Sequence, residues 1–416
     1  MPIKDTIMLV SSVLFGILFL FLVFIFLVFI ISLFIKKRNK QFEPKLSIVI
    51  PAYNEEKNIG ECLDSVFDSN YPMKKLEVIV VDDGSTDNSL KIMRKYKKVS
   101  VYVQNHLGKV EALNLGALNC SHDFIITIDA DTILDKNCIR ELIMPLHDKN
   151  VGVTTGNNEV RNKTSILAIF QSIEYHITNL LRNSFSNVFK DGVWIAGSLA
   201  CYRKSAIKRV GFFKKDTLAE DIDIALELKK KGYKAVIVPA AFGQTVVPSK
   251  LHDLYKQRVR WWRGVSQAIV KNKELLSLKS TFSIIYLYLS HFWWSIYALL
   301  SLPLIIFQIF YWLPYNTQSL FSVVGYFIRW LSLLGPIYVV YKIPDFGLSV
   351  YSIFGVLSGI ITAALSFIAV IRFKDKITLK NIFAIFFYFP YTIVLNIIIL
   401  TSLLKHRFWQ RSFYLK

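Results

Sequence analysis

The chain of 416 residues is poor in cysteine and has no internal repeat or low-complexity linker. No two of its cysteines have the C-x-x-C spacing of a metal or redox motif, so neither a disulfide framework nor a zinc site is expected. The length is sufficient for one sizeable globular domain together with several membrane-spanning segments. The four cysteines are Cys62, Cys120, Cys138 and Cys201.

Charged residues are absent from four long stretches, and a fifth stretch contains a single arginine. Each exceeds the roughly 20 apolar residues that cross a hydrocarbon core. The first is also far longer than the ~7–15 residues of a signal-peptide core, so residues 1–40 are predicted to be an N-terminal anchor. We predict a multi-pass protein of the cell membrane, and the sequence does not decide between four and five crossings. The stretches are residues 6–35, 281–313, 346–371, 381–404 and, with Arg329, 319–341.

Acidic residues are scarce relative to basic ones: 30 Asp and Glu against 50 Lys and Arg give a net charge of +20. A nucleic-acid partner has only this charge in its favour and is not expected. We attribute the excess to an anionic lipid leaflet and a phosphate-bearing substrate. The basic residues 36–40 follow the first apolar stretch, and basic segments favour the cytosolic side of a membrane. The region after the anchor and the basic tail at 405–416 are therefore predicted to be cytosolic.

Residues 41–250 alternate between β-branched apolar runs and helical patterns. Such alternation is typical of an α/β domain with a Rossmann-like, mostly parallel sheet. Acidic and polar residues collect just after the predicted strands, where ligands bind in open α/β sheets. Residues 251–280 are predicted to form amphipathic interfacial helices, and residues 281–416 a C-terminal transmembrane region. Strands are predicted at residues 46–52, 76–85 and 123–131, and helices at 55–68, 87–98 and 109–119.

Asp129 and Asp131 lie two residues apart at the end of the third predicted strand, so extended geometry points both carboxylates the same way. Like charges this close are unfavourable without a cation between them. Mg²⁺ is typically held by one or two carboxylates and substrate phosphates, which suits this pair. The alternative is that Asp131 or Asp135 caps a helix.

Residues after the first two predicted strands suit a nucleotide. Tyr53 and Glu55 offer an aromatic ring and a carboxylate to a nucleobase, and Asp83 is placed to accept its hydrogen bonds. Lys109 begins a predicted helix behind Gly108, where a cation and free backbone N–H groups attract phosphate. A solvated lysine on an exposed turn is the alternative interpretation of Lys109.

Glu220 and Asp221 precede an amphipathic stretch. Acids in the first turn ordinarily stabilise the helix dipole, and one of them could act as a general base only beside an acceptor hydroxyl. Both interpretations remain open from the residues alone.

Gln257, Arg260 and Trp261 fall at helical spacings of three and four and therefore share one face. An amide, a guanidinium and a flat indole on one stripe suit a sugar diphosphate. Basic and aromatic residues beside membranes also bind lipid headgroups, and Trp262 and Arg263, which point elsewhere, are predicted to do so.

Six motifs in this order resemble those of the inverting family 2 membrane glycosyltransferases with a GT-A fold, the group of the cellulose, chitin, hyaluronan and poly-N-acetylglucosamine synthases. Residues 154–175 and 254–261 particularly resemble the bacterial poly-β-1,6-N-acetylglucosamine branch. The chain departs from the family at Ala219, where Thr or Ser is usual. The motifs are PAYNE at 51–55, VDDGS at 81–85, GK and ALN at 108–114, DAD at 129–131, ED at 220–221 and QRVRW at 257–261.

The resemblance implies a processive enzyme that polymerises a UDP-sugar, with UDP-GlcNAc as the first choice, into a β-linked polysaccharide and moves it across the membrane. Its partners would be the donor, the growing chain, membrane lipids and, in some relatives, a small membrane accessory subunit. The alternatives are a non-processive transferase that adds one sugar to a lipid-linked acceptor, and an inactive binding or export subunit. The implied roles are uridine binding by Tyr53, Glu55 and Asp83, diphosphate binding by Lys109 and Asp129, Mg²⁺ or Mn²⁺ coordination by Asp131 and Asp129, general base catalysis by Asp221 beside Glu220, and binding of diphosphate and acceptor sugar by Gln257, Arg260 and Trp261.

Overall fold

The structure is a computed structural model that describes residues 3–35, 41–192, 194–277, 281–311, 320–347, 350–373 and 377–404. The basic segments predicted to be cytosolic, 36–40 and 405–416, lie outside the described residues.

Eight strands form one sheet in the order β3-β2-β1-β4-β7-β6-β8-β5. The predicted strands are present because their β-branched runs are buried on both faces, as in the wholly buried β1. The strands are β1 (Leu46–Ala52), β2 (Leu76–Asp82), β3 (Val99–Val103), β4 (Phe124–Ile128), β5 (Ile133–Leu134), β6 (Val151–Val160), β7 (Leu199–Arg203) and β8 (Lys234–Thr245).

The first four strands of the order pair in parallel, which confirms the predicted α/β sheet. The remainder is mixed: β7 runs antiparallel to both β4 and β6, and β5 antiparallel to β8, whereas β6 and β8 are parallel. This reversal was not predicted from the sequence, because a short strand buried on both faces has the same pattern in either direction.

Helices cover both faces of the sheet, and alternate residues of β1 enter opposite cores. Ile48 and Ile50 pack in one core, and Val49 packs in the other. The helices of this domain are α2 (Ile59–Phe67), α3 (Ser89–Met93), α4 (Lys109–Asn119), α5 (Cys138–Ile143), α6 (Ile166–Phe189), α7 (Lys204–Arg209), α8 (Glu220–Lys230) and α9 (Leu251–Lys271).

Two of the predicted helices begin later than the sequence indicated, because the residues before them bind each other. The backbone N–H of Glu56 donates to Asp87 Oδ2 at 3.1 Å, and the Glu56 carboxylate accepts from the N–H of Asn88 at 3.1 Å. These bonds join the loops that follow β1 and β2 and fix one wall of the cleft described below. Asp135 does not serve as the N-cap of α5, since Asn137 stands at that position.

The remaining helices are apolar. Among the described residues, three are long and apolar enough to cross a membrane, or up to five spans result if each bent helix pair is counted as one. The pair α11 and α12 is bent by 106°, and the pair α15 and α16 by 59°. The helices are α1 (Ile3–Leu33), α10 (Phe282–Tyr311), α11 (Leu320–Trp330), α12 (Leu334–Tyr341), α13 (Ile343–Phe346), α14 (Val350–Arg372), α15 (Leu379–Phe386) and α16 (Tyr388–Leu404).

The end of α14 contacts the α/β domain. The ring of Phe373 stacks on His176 of α6 with centroids 5.4 Å apart and meets Phe242 of β8 edge-on at 6.0 Å. The basic stretch that begins at Arg372 therefore starts on the same side of the apolar helices as the α/β domain. Five crossings, with all four apolar stretches after residue 280 spanning the membrane, would place this stretch on the opposite side.

Candidate active site

A cleft of about 250 Å³ opens at the carboxyl ends of β1, β2 and β4. Because parallel strands end at one edge of the sheet, residues far apart in the chain meet here. Arg260 of α9 lines the same cleft. The lining residues are Pro51, Ala52, Tyr53, Glu55, Asp83, Lys109, Asp129, Ala130, Asp131 and Arg260.

Lys109, the first residue of α4, connects two groups of acids. Its Nζ lies 2.7 Å from Asp129 Oδ1 and 3.1 Å from Glu220 Oε1. Burial opposes the charged form of Lys109, but the two carboxylates outweigh it and raise the pKa of the amine. The same ion pair holds the pKa of Glu220 below its usual range, against the effect of burial. A cation at a helix N-terminus, beside free backbone N–H groups, makes this point suitable for phosphate.

Asp131, like Glu55, is a cleft carboxylate for which the described side chains supply no cationic partner. Its Oδ1 accepts hydrogen bonds from the hydroxyls of Thr132 and Thr245, both at 3.3 Å. Burial, with the neighbouring charges of Asp129 and Glu55, raises the pKa of Asp131 to about 6. An ionised pair in this position is stabilised by a divalent cation, so the donor set suits Mg²⁺ or Mn²⁺ that shares its coordination with substrate phosphates.

Asp221, in the first turn of α8, is held by the backbone. Its Oδ2 accepts from the N–H of Gly197 at 2.9 Å, and its Oδ1 accepts from the N–H of Ile222 at 2.8 Å. A Cβ on Gly197 would lie 2.9 Å from the Asp221 Cβ, so glycine is needed for this approach. Burial and the charge of Glu220 raise the pKa of Asp221 to about 6, although Lys109 and the two N–H groups lower it. A carboxylate with this pKa is suited to general base catalysis near neutral pH.

Asp83 organises the loop before α4. This buried carboxylate accepts from Gln104 Nε2 at 2.6 Å and from the N–H groups of Leu107 and Gly108 at 2.8 and 3.0 Å. His106 Nδ1 lies 3.1 Å from Asp83 Oδ2, the oxygen that also accepts from Gly108 at 3.0 Å. Most of the accepting capacity of Asp83 is therefore used within the loop, which makes Asp83 a support for the cleft wall as much as a ligand group.

An aromatic pair stands at the mouth of the cleft. The rings of Tyr53 and His106 stack with centroids 4.0 Å apart and planes 25° apart, and Tyr53 is 41% exposed. A flat, exposed surface of this kind suits a nucleobase. His106 lies two residues before the GK motif and was not assigned a role from the sequence, because a lone histidine in a loop has no diagnostic spacing.

The predicted face of α9 is present, and Arg260 is exposed towards the cleft. Trp261 is partly exposed, with one indole face covered by the Arg258 guanidinium at 4.2 Å from the ring centroid. Gln257 has a buried Oε1 without a hydrogen-bond partner. The structure thus brings Arg260 to the acids of the cleft and leaves Gln257 beside it with an unused acceptor.

Arg258 is buried, and no role was predicted for it from the sequence. Its Nη2 donates to Glu174 Oε2 of α6 at 2.9 Å, and the hydroxyl of Tyr391 on α16 donates to the same oxygen. The network ties α9 to both the α/β domain and the apolar helices. Its partners are distant in sequence, so no local pattern could have indicated them.

Trp262 and Arg263 do not face outward as predicted. The Trp262 indole stacks on His291 of α10 with centroids 4.3 Å apart, and Arg263 Nε donates to the Ser402 carbonyl of α16 at 3.4 Å. The prediction that these residues meet lipid headgroups is therefore wrong: both pack against other helices, because α9 lies between the domain and the apolar helices.

Residues 47–211 match the family described as glycosyl transferase family 2. The chain carries a family 2 glycosyltransferase domain. This result confirms the predicted family and enzyme class. The matched residues include the cleft acids from β1 to β4, whereas Asp221 and Arg260 lie beyond them.

Two curated relatives have related sequences over little more than half of this chain. The poly-β-1,6-N-acetyl-D-glucosamine synthase of Staphylococcus aureus strain COL is 34% identical over 233 residues, which are 55% of this chain and 56% of the relative. The enzyme of that name from Staphylococcus epidermidis is 33% identical over 244 residues, 57% of this chain and 58% of the relative. The chain spans little more than half the length of the curated relatives it matches.

A solved structure is similar over most of the fold. It is a mannosyltransferase from Pyrobaculum calidifontis in complex with GDP-Man and Mn²⁺, with a TM-score of 0.60 and 18% identity. The match covers 90% of this chain and 99% of that one. At this identity the likeness concerns the fold alone. It agrees with a GT-A domain joined to apolar helices, which confirms the predicted fold class.

If Asp221 is the general base, its raised pKa is expected to make the rate of sugar transfer sensitive to acid. Since a general base must be ionised, turnover at saturating donor is expected to fall about tenfold for each pH unit below roughly pH 6. Asp131 has a similar pKa, but its protonation is expected to weaken donor binding instead. Measuring turnover and donor affinity separately from about pH 5 to 8 distinguishes the two groups. A turnover that is flat across this range would contradict the assignment of Asp221.

Proposed function

We propose that this protein is an inverting polysaccharide synthase that transfers N-acetylglucosamine from UDP-GlcNAc to a growing β-linked chain. The observation that carries the proposal is the position of Lys109, which contacts Asp129 on the donor side and Glu220 on the acceptor side. A donor diphosphate bound at Lys109 therefore lies close to the carboxylate next to Glu220. The names of the curated relatives supply the choice of sugar.

In the proposed reaction Asp221 accepts a proton from an acceptor hydroxyl while the oxygen attacks the anomeric carbon. The bond to the donor diphosphate breaks, and UDP leaves with the bonding electrons. Lys109 and Arg260 stabilise the negative charge that grows on the leaving phosphate. Attack from the side opposite the diphosphate inverts an α-linked donor to a β-linked product.

Asp129 and Asp131 would hold Mg²⁺ or Mn²⁺ in this scheme. The metal would supply Lewis-acid stabilisation of the diphosphate. Among the described residues no cluster of three metal-ligating side chains occurs, which fits an ion that takes its remaining ligands from substrate and water.

The nucleobase would bind at the stacked pair of Tyr53 and His106, next to Glu55. The acceptor chain would lie on the α9 face, with Trp261 beneath a sugar ring. We also propose that the glycosyltransferase domain faces the cytosol, where nucleotide sugars are made, and that the apolar helices pass the product across the membrane. Membrane lipids and an accessory subunit would be further partners.

The test uses the full chain in lipid nanodiscs with Mg²⁺ or Mn²⁺. UDP-GlcNAc, UDP-glucose, UDP-glucuronic acid and GDP-mannose are offered separately, and nucleotide release and product size are followed. Long product from UDP-GlcNAc alone is the expected result. Nucleotide release with addition of a single sugar to a lipid carrier would indicate the non-processive alternative. No release with any donor, while UDP still binds, would indicate an inactive binding or export subunit.

Replacement of Trp261 tests the acceptor side. Trp261→Ala is expected to lower chain elongation about tenfold relative to donor hydrolysis, because an aromatic contact of about 1.4 kcal/mol with the acceptor is lost and the donor site is untouched. The ratio of polymer formed to UDP released measures the effect. Trp262→Ala is the matched control, since Trp262 packs on His291 outside the cleft. An equal loss of elongation and hydrolysis in Trp261→Ala would argue against acceptor stacking.

A further inference from the structure

The face of α9 that carries the acceptor residues continues along the second half of the helix. Gly264, Gln267 and Lys271 follow at helical spacings from Arg260, and all three contact α8 or the segment just before it. The first half of this face is directed to the cleft, and the second half packs against α8, the helix that begins with Glu220 and Asp221. None of these three residues takes part in the proposed reaction itself.

Gly264 brings the two helices into backbone contact. A Cβ on Gly264 would lie 2.6 Å from the Cβ and 2.7 Å from the N of Ala219. A larger residue at position 264 would therefore force α8 and α9 further apart. The departure from the family at Ala219 has a physical counterpart here, since a methyl group at 219 packs directly against the glycine.

The start of α8 relies on α9 for its stabilisation. Ala219 stands at the N-cap and has no side chain to accept from the free N–H groups of the first turn. One residue earlier, the N–H of Leu218 donates to Gln267 Oε1 of α9 at 2.9 Å. The segment that leads into Glu220 and Asp221 is therefore held by a neighbouring helix instead of by its own cap.

An ion pair between the partly buried Lys271 and the buried Asp223 completes the contact at the other end of α9. Lys271 Nζ lies 2.6 Å from Asp223 Oδ2, and Asn272 Nδ2 donates to Asp223 Oδ1 at 3.1 Å. Asp223 is 1% exposed and lies two residues after Asp221 on α8. Lys271 also lies 2.9 Å from Asp216 in the loop before α8. Both flanks of the catalytic turn are thus attached to the last turn of α9.

We propose that Gly264, Gln267 and Lys271 are positioning residues that fix Asp221 relative to the acceptor-binding face of α9. This inference rests on the proposed function, since it assumes that Asp221 is the base and that Arg260 and Trp261 bind the substrates. A general base must lie within hydrogen-bond reach of the acceptor hydroxyl, and a displacement of about 1 Å can cost on the order of 100-fold in rate. The contact between α8 and α9 sets this distance, because α8 carries the proposed base and α9 carries the proposed acceptor-binding residues.

The experiment compares Lys271→Met with Lys271→Arg and with Lys273→Met in the full chain in nanodiscs. Lys271→Met is expected to lower turnover at saturating donor by about 10- to 100-fold, while the KM for donor and the Kd for UDP change less than about twofold. Lys271→Arg keeps the charge and restores most of the turnover. Lys273 is exposed in the next turn, and its replacement removes the same charge without effect.

A second variant distinguishes a loss of positioning from a loss of folding. Gln267→Leu removes the acceptor for Leu218 and is expected to show the same fall in turnover with unchanged UDP binding. Unchanged turnover in both Lys271→Met and Gln267→Leu would overturn the proposal. A parallel loss of UDP binding and turnover in both variants would also overturn the proposal, because it indicates general destabilisation. Lack of wild-type turnover with every donor, with UDP binding intact, would instead refute the proposed function.

Discussion

Asp221→Asn is expected to reduce sugar transfer by about 10²- to 10⁴-fold while donor binding stays within about twofold of wild type. The carboxamide cannot accept the acceptor proton, whereas Lys109 and the Asp129–Asp131 pair, which meet the diphosphate, are unchanged. The measurements are UDP release in the presence of acceptor and the Kd for UDP with Mn²⁺.

The surroundings of Asp221 add a structural detail to this test. Both of its oxygens accept from backbone N–H groups, of Gly197 and Ile222, so the NH₂ group of an asparagine must face one of these donors. Asp221→Ala avoids that conflict and serves as the second variant. Asp253→Asn, at an exposed site in the first turn of α9, is the neutral control. Transfer at the wild-type rate in both variants would remove Asp221 from the reaction.

Asp131→Asn is expected to abolish the metal dependence of nucleotide binding. With Mn²⁺ present, the Kd for UDP should rise by at least about tenfold, because one of two carboxylate ligands is lost. With chelator present, the affinities of wild type and variant should be equal. Calorimetric titration under the two conditions measures both values, and a variant that retains the Mn²⁺ effect would exclude Asp131 from the metal site.

The raised pKa of Asp131 predicts a second effect of Asp131→Asn: the variant loses nucleotide affinity but gains thermal stability. Because burial and Asp129 destabilise the ionised form in the metal-free protein, the carboxylate opposes folding fully at neutral pH, and this opposition is lost as the pH falls from about 6 towards the ordinary pKa of 3.8. Replacing it with a neutral amide is therefore expected to raise the thermal midpoint of the metal-free protein near pH 7.5. A general defect in folding would lower the midpoint instead, so the two explanations are separated.

The donor side of the site was predictable from the sequence. Asp83 and Asp129 follow apolar runs that form parallel strands, and such strands end at one edge of the sheet, so the residues had to meet. The start of α4 at Lys109 was predicted to the residue, because the sequence has a glycine immediately before it. In the structure Gly108 has a positive φ of 99°. Local chemistry was sufficient for these features.

The acceptor side was predictable only in part. The periodicity of α9 placed Arg260 and Trp261 on one face, but the partners of that helix depend on tertiary contacts. Arg258 pairs with Glu174 across 84 residues, and Glu174 meets Tyr391 across 217 residues. No spacing rule reaches this far. The outward placement of Trp262 was wrong for the same reason, since the sequence does not indicate that α10 lies beside it.

The Arg258–Glu174–Tyr391 network has a consequence for how such enzymes can be recombined. It joins α9 to α6 and α16, so a chimaera made by exchanging everything after residue 280 between relatives would separate Tyr391 from the carboxylate it was selected with. Losing a hydrogen bond to a carboxylate such as Glu174 costs about 1.5–3 kcal/mol, a sizeable share of the stability of a domain. The helices α6, α9 and α16 therefore depend on one another for stability, and the boundary between the domain and the apolar helices is not a neutral place to join two relatives.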